Sequence, residues 1–235
     1  MAGSAGRPDA GRSDLGVRTL SALVMLVLAG AALWLGGLVF AALILLVALG
    51  VLWEFWGMIR AFARTWPARL AWLLFALAYV GLAVVALWTV RSQWDAPLFW
   101  TLLLLLIVWA TDIGAYFAGR LIGGPKIAPR ISPSKTWSGL GGGIVAATLV
   151  TALMVAFHFG ALSAVAAHWP FILLLGIPLP VVAQAGDFFE SALKRAAGVK
   201  DSGMLIPGHG GLFDRVDGLL PVAILYPVWV GALAW

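Results

Sequence analysis

The sequence predicts an all-α fold, a polytopic integral membrane bundle of about seven helices with its N-terminus in the cytoplasm. Composition, charge-free runs and the sidedness of the basic residues carry that expectation. Of 235 residues, 63% are hydrophobic and only 11% charged, against roughly half and a quarter in a soluble domain. That is more apolar material than a soluble fold of this size can bury. It excludes a disordered chain, an ordinary cytosolic enzyme and, with no Cys, a disulfide scaffold or a thiolate chemistry. Thirteen Trp and twelve Phe suit interfacial aromatic belts. The net charge of +5 is not a nucleic-acid footprint, because its distribution along the chain follows membrane sidedness.

Unpaired backbone groups are costly in hydrocarbon, so long apolar runs without strict alternation must be helices. Residues 1–17 are rich in Gly, Ala and Arg and read as a flexible cytoplasmic tail. A cleaved signal peptide is disfavoured, since the apolar run continues well past Ala29-Gly30-Ala31. The run Thr19–Trp53 holds 35 residues without a charge. A span takes about 20, so it divides, at Gly36-Gly37, into helices near 20–35 and 38–58. Ala71–Val90, between Arg69 and Arg91, is a third span, and 97–118, which contains Asp112, is a fourth. The 51 residues of Thr136–Gly186 lack Asp, Glu, Lys and Arg. They fold back around His158–His168 into spans near 139–158 and 169–186. The seventh is 218–235. With the N-terminus inside, Arg7, Arg12, Arg18, Arg60, Arg64, Arg69, Arg120, Lys126, Arg130, Lys135, Lys194, Arg195, Lys200 and Arg215 all fall on the inner side. These are 14 of the 15 basic residues, with Arg91 alone outside, as the positive-inside rule requires.

The chain therefore divides into the tail, N-terminal transmembrane helices over 18–110, and a region 111–235 that carries the polar chemistry. Six of the ten acids lie between 112 and 217, in two inner-facing segments. The first, 111–139, opens with Asp112 near the inner end of a span, where a carboxylate must be paired, hydrated or metal-bound. Gly123-Gly124-Pro125 breaks the helix. Lys126, Arg130, Ser132, Ser134 and Lys135 then offer donors to a polyphosphate on a Gly/Pro-rich loop. A solvated basic loop facing anionic lipid is the alternative. Gly139-Leu140-Gly141-Gly142-Gly143 reads as a helix-packing surface.

The second segment, 186–217, places Asp187, Glu190 and Lys194 on one helical face. Pro207-Gly208-His209-Gly210-Gly211 cannot be regular helix, and Asp214-Arg215-Val216-Asp217 leads into the last span. Acids around a Gly-rich turn at a membrane boundary suit a hard cation such as Mg²⁺. His209 by itself reads more readily as a structural group than as a ligand. No zinc spacing, nucleophile elbow or Walker A loop is present.

This second segment resembles the phosphatidate cytidylyltransferases, the CDP-diacylglycerol synthases. Ser191, Lys194-Arg195, Lys200-Asp201, Gly203, Pro207, His209-Gly210-Gly211, Asp214-Arg215 and Asp217 fit that family's C-terminal signature without a gap. Upstream, Asp112-Ile113-Gly114-Ala115-Tyr116, Gly119-Arg120, and Ile131-Ser132-Pro133-Ser134-Lys135-Thr136-Trp137 also match. The departures are Ser138, where the family usually has Glu, Gly218, where it often has Ser, and a short N-terminal region.

The resemblance implies transfer of CMP from CTP to phosphatidic acid, giving CDP-diacylglycerol and pyrophosphate at the inner face of the cytoplasmic membrane. It implies Mg²⁺, with room for a second cation. The catalytic set is Asp187, Asp214, Lys135, Lys194, Arg195 and Arg215. Asp187 and Asp214 are the leading metal ligands, with Asp217 and Asp112 supporting. Ser132, Ser134, Lys135, Lys200, His209, Gly210 and Gly211 hold substrate. Expected partners are CTP, phosphatidic acid and membrane lipid, with a homodimer compatible and nucleic acid not expected. Another lipid or polyprenyl phosphate as acceptor, and a transporter of an anionic solute, are the alternatives.

Overall fold

The structure is a computed structural model that describes residues 10–160, 165, 167–206 and 210–233. Helix α1 (Ala10–Leu35) is followed by α2 (Gly37–Phe62), α3 (Trp66–Ser92) and α4 (Pro97–Leu121). A short hairpin, β1 (Lys126–Ala128) and β2 (Ser132–Thr136), precedes α5 (Trp137–His158). Then come α6 (Trp169–Gly176), α7 (Pro178–Ala197), the single turn α8 (Phe213–Val216) and α9 (Leu219–Leu233). Among the described residues, five stretches are long and apolar enough to cross a membrane: α2, α3, α4, α5, and α6 continued by α7. Residues 19–35 form a shorter apolar helix. The all-α membrane bundle expected from composition is the fold.

The breaks have local causes. Gly36 adopts φ +62° between α1 and α2. The Arg91 guanidinium donates to Leu33 O at 2.6 and 3.1 Å, capping orphan carbonyls at the end of α1. A Cβ on Gly36 would come within 2.6 Å of that guanidinium. Proline lies in the first turn of α3, α4, α6 and α7, where its missing N–H costs nothing. Gly198 closes α7 in the left-handed region, at φ +72°.

The structure departs from the sequence reading at three places. Helix α1 already includes residues 10–17, which read as tail, because a helix once nucleated extends at one hydrogen bond per residue. Residues 126–136 form an antiparallel hairpin with Lys126 opposite Thr136, where the composition suggested only a loop. The span expected at 169–186 runs on to Ala197, so Asp187 lies inside a helix.

The glycines of α5 form the close packing surface that their spacing predicted. Gly142 backs onto Gly114 and Ala118 of α4, where a Cβ would lie 2.7 Å from Gly114 O. The core runs through the bundle's centre, with Phe55, Ile59, Leu103, Ile107, Leu179, Phe213 and Tyr226 fully buried. Leu38, Leu121 and Phe157 are more than 80% exposed, as lipid-facing side chains are.

Candidate active site

Two close approaches build the site. At Gly186 a Cβ would collide with Asp217 O and the Pro221 ring, so only glycine lets α7 lie against the start of α9. That contact brings Asp187 towards Asp217. At the hairpin, Thr136 caps α5 by accepting from Gly139 N at 3.0 Å. This fixes the preceding residue, Lys135, whose Nζ pairs with Asp187 Oδ2. The two polar segments, 52 residues apart at that pair, thus meet.

They enclose a cavity of about 690 Å³. Among the expected site residues, Asp112, Ser134, Lys135, Asp187, Lys194, Asp214, Arg215 and Asp217 line it. Ser132 is buried within the hairpin and outside the lining. Arg195 and Lys200 are exposed and also outside it. Arg195 Nε instead donates to Ile131 O at 3.4 Å, tying α7 to the hairpin. His209 lies outside the described residues.

Lys194 is the hub of the second segment, 2.6 Å from both Glu190 Oε2 and Asp214 Oδ1. The other oxygen of Asp214 accepts from Ser202 N and Gly211 N at 3.0 Å and from Ser202 Oγ at 3.1 Å. A Cβ on Gly211 would stand 2.7 Å from Gly203 N and 2.8 Å from Asp214 Oδ2, which is why glycine sits there. Gly210, at φ +82°, turns the chain into that position. Burial pushes the Asp214 carboxyl upwards. Glu190 and Lys194 beside it and the Ser202 N–H outweigh burial and hold it well below the usual carboxylate range. Asp217 behaves oppositely. Burial, then the negative charge of Asp187 and of Asp112, push it to about 7, against the opposing Gly218 N–H and Lys135.

Sequence reasoning missed Glu54. This carboxylate, in α2, is 3% exposed. It accepts from Leu212 N at 2.9 Å, Phe213 N at 2.8 Å and Ser202 Oγ at 2.9 Å. The Ser202 hydroxyl has one proton for two acceptors, Glu54 and Asp214, and so links them. A lone acid closing an apolar run was the available signal. Gln184 was missed as well, although it is the single amide in the charge-free run 136–186. It lines the cavity together with Tyr116, Arg120 and Asp201.

The lining fits a hard cation. It carries six acids (Asp112, Asp187, Glu190, Asp201, Asp214, Asp217) against four bases (Arg120, Lys135, Lys194, Arg215), a formal excess of two negative charges. Gln184 Oε1 and Glu190 Oε1 are buried acceptors that no donor meets. Such oxygen-rich, anion-heavy surroundings match Mg²⁺ chemistry. Among the described residues, however, no three His, Cys, Asp or Glu side chains stand together in an arrangement that could hold a metal ion as they are placed.

The sequence model of the cytidylyltransferase family matches residues 62–232. A phosphatidate cytidylyltransferase of Brucella suis is 46% identical over 162 residues, which are 68% of this chain and 57% of the relative. Those of Staphylococcus saprophyticus and Staphylococcus epidermidis are 42% and 43% identical over 151 and 153 residues, 64% of this chain and 55% of each relative. The chain thus aligns with somewhat over half the length of the curated relatives it matches. Every residue lining the cavity lies within the matched segment, whereas Glu54 lies before it. With many of the signature residues, among them Asp112, Lys135, Lys194, Asp214, Arg215 and Asp217, lining one cavity, and the match extending over most of its helices, the chain belongs to the cytidylyltransferase family.

Proposed function

We propose that this integral membrane protein transfers the CMP moiety of CTP to phosphatidic acid, releasing pyrophosphate. The observation that carries the reading is a cavity in which both polar segments meet, four bases among six acids, in a bundle of helices long and apolar enough to cross a membrane. The relatives' names supply the substrates. Its size falls within the usual 300–1,000 Å³ of a small-molecule site. Fourteen basic residues on one side support a cytoplasmic N-terminus and a cavity open to the cytoplasm, where CTP is found, in the cell's inner membrane.

The acceptor is a phosphate oxygen, ionised near neutral pH, so the chain needs no Ser, Cys or His nucleophile. That oxygen attacks the α-phosphorus of CTP, forming a new P–O bond as the α–β P–O bond breaks and pyrophosphate departs with the electron pair. The residues' task is to hold two polyanions in line and offset the charge. Lys135 exchanges its Asp187 partner for a phosphate oxygen, and Arg120 and Arg215 add fixed positive charge to the walls. Asp214 is engaged by Lys194, Ser202 and Gly211, which gives it the role of aiming Lys194 and holding the loop. Asp112, Asp187 and Asp217 would hold Mg²⁺, which when bound supplies charge neutralisation on the phosphates. The test is incorporation of labelled CTP into lipid by purified protein, with phosphatidic acid and Mg²⁺ each omitted in turn. Incorporation must need both. Incorporation that ignores phosphatidic acid, or none at all, overturns the reading.

A further inference from the structure

The polar cavity is not isolated. A narrow gap of about 30 Å³ shares Asp112, Arg215 and Asp217 with it, and shares Leu105, Trp109 and Leu219 with a third hollow. That third hollow is an apolar cleft of about 410 Å³ between α1, α2, α3, α4 and α9. Arg215 lines all three. Among the described residues, the other polar groups lining the cleft are the Trp109 indole N–H and Thr101, whose hydroxyl is bonded to Pro97 O at 2.7 Å. The cleft therefore offers hydrocarbon along its length and a cation at one end, which is the chemistry of an anionic amphiphile.

The dimensions choose between occupants. Along α2 the lining runs from Phe40 to Val51, and the Val51 end is the one next to Glu54, whose carboxylate accepts from Phe213, two residues before Arg215. From Phe40 to Val51 the helix rises about 16 Å. One leaflet of a hydrocarbon core of about 30 Å is about 15 Å thick. A helix of about 10 Å diameter over that length needs on the order of 1,200 Å³, several times what the cleft holds. A single acyl chain is narrow enough, and its length is that of one leaflet. At Gly30 of α1, on the cleft's wall, an added Cβ meets no atom within 4 Å, so a larger side chain can be placed there.

We infer that this cleft holds one acyl chain of the lipid substrate, with the lipid phosphate beside Arg215, which lines both the cleft and the polar cavity. The inference rests on the lipid-phosphate reading above and adds the location of the chain. It makes α1 and α2, of which α1 lies wholly outside the family match, part of the lipid site.

The experiment compares dioleoyl and dihexanoyl phosphatidate as acceptors. Gly30→Phe and Val47→Trp, which fill the cleft, are expected to lower the long-chain to short-chain ratio of kcat/KM at least tenfold. Leu46→Phe, on the 67% exposed side of α2, is expected to keep the wild-type ratio. In a second arm, wild-type protein is irradiated with phosphatidate bearing a diazirine at the end of one acyl chain. Adducts at Leu33, Phe40 or Leu87 are expected. An unchanged ratio in both filled variants, or adducts only at lipid-facing residues such as Leu46 and Leu82, overturns the cleft. A wild type inactive on both lipids overturns the transferase reading instead, and the labelling arm still decides whether the cleft takes a chain.

Discussion

The pairing of Lys135 with Asp187 joins a hairpin residue to a helix residue and leaves neither side chain independent of the other. A lysine that merely attracts anionic lipid contributes about 1 kcal/mol, less than the ~1.4 kcal/mol that corresponds to a tenfold rate effect. Lys135→Ala is therefore expected to lower CMP transfer by far more than tenfold. In a double-mutant cycle with Asp187→Asn the losses should fall short of additive, since the two side chains act as one unit. Initial rates of the three variants decide it, and activity within a few-fold of wild type removes Lys135 from the site. Asp217 gives a pH prediction. Its folded pKa, about 7, lies above the ordinary 3.8. The folded state thus holds its proton longer, and its contribution to stability is complete below pH 3.8 and lost as pH rises through 7. Asp217→Asn should match wild type in unfolding temperature at pH 4 and exceed it at pH 8. Added Mg²⁺ should raise the wild type at pH 8 and narrow that gap. A gap of equal size at both pH values would show that the charge is not the cause.

Between elements, the coupling of interest is that of α2 to Ser202, Leu212 and Phe213. Three hydrogen bonds to the Glu54 carboxylate hold those residues, and Ser202 passes the constraint on to Asp214. Hydrogen bonds to a charged group contribute about 1.5–3 kcal/mol each, and a buried acceptor lost from such a set leaves its donors unpaired. Glu54→Gln keeps the shape but turns an amide towards backbone N–H donors. It should speed amide exchange across residues 202–213 by more than tenfold and lower activity, while exchange in α5 stays as in wild type. Unaltered exchange at Leu212 and Phe213 would remove the anchor. This coupling was illegible in the sequence because 148 positions separate Glu54 from Ser202 and no local pattern spans that distance. The α4–α5 contact was legible for the opposite reason. Small residues at 139, 142 and 143 recur at helical spacing, and that spacing places them on one face.

At the scale of the molecule, sidedness is open to direct measurement in a chain without cysteine. Cysteines replacing Lys126 and Lys200, both exposed, should react with a membrane-impermeant reagent only from the cytoplasmic side. One replacing Ser92, also exposed, should react only from the other side. Reaction of positions 92 and 126 from the same side would remove α4 as a crossing, and with it the proposed opening of the cavity to the cytoplasm.

The sequence by itself determined the all-α membrane bundle, the break at Gly36, and the two polar segments whose residues line the cavity. Each depends on neighbours in the chain: runs of apolar residues, a glycine free to take positive φ, signature residues at fixed intervals. Tertiary structure decided what each charge does. It paired Lys135 with Asp187, set Asp214 against Lys194 and the loop rather than leaving it free, and turned Arg195 to the hairpin. It also drew Glu54 into the site and joined the polar cavity to an apolar cleft through Arg215. A charge's role depends on what stands within a few ångströms of it, and in a bundle those neighbours come from helices distant in the chain, which only packing brings together.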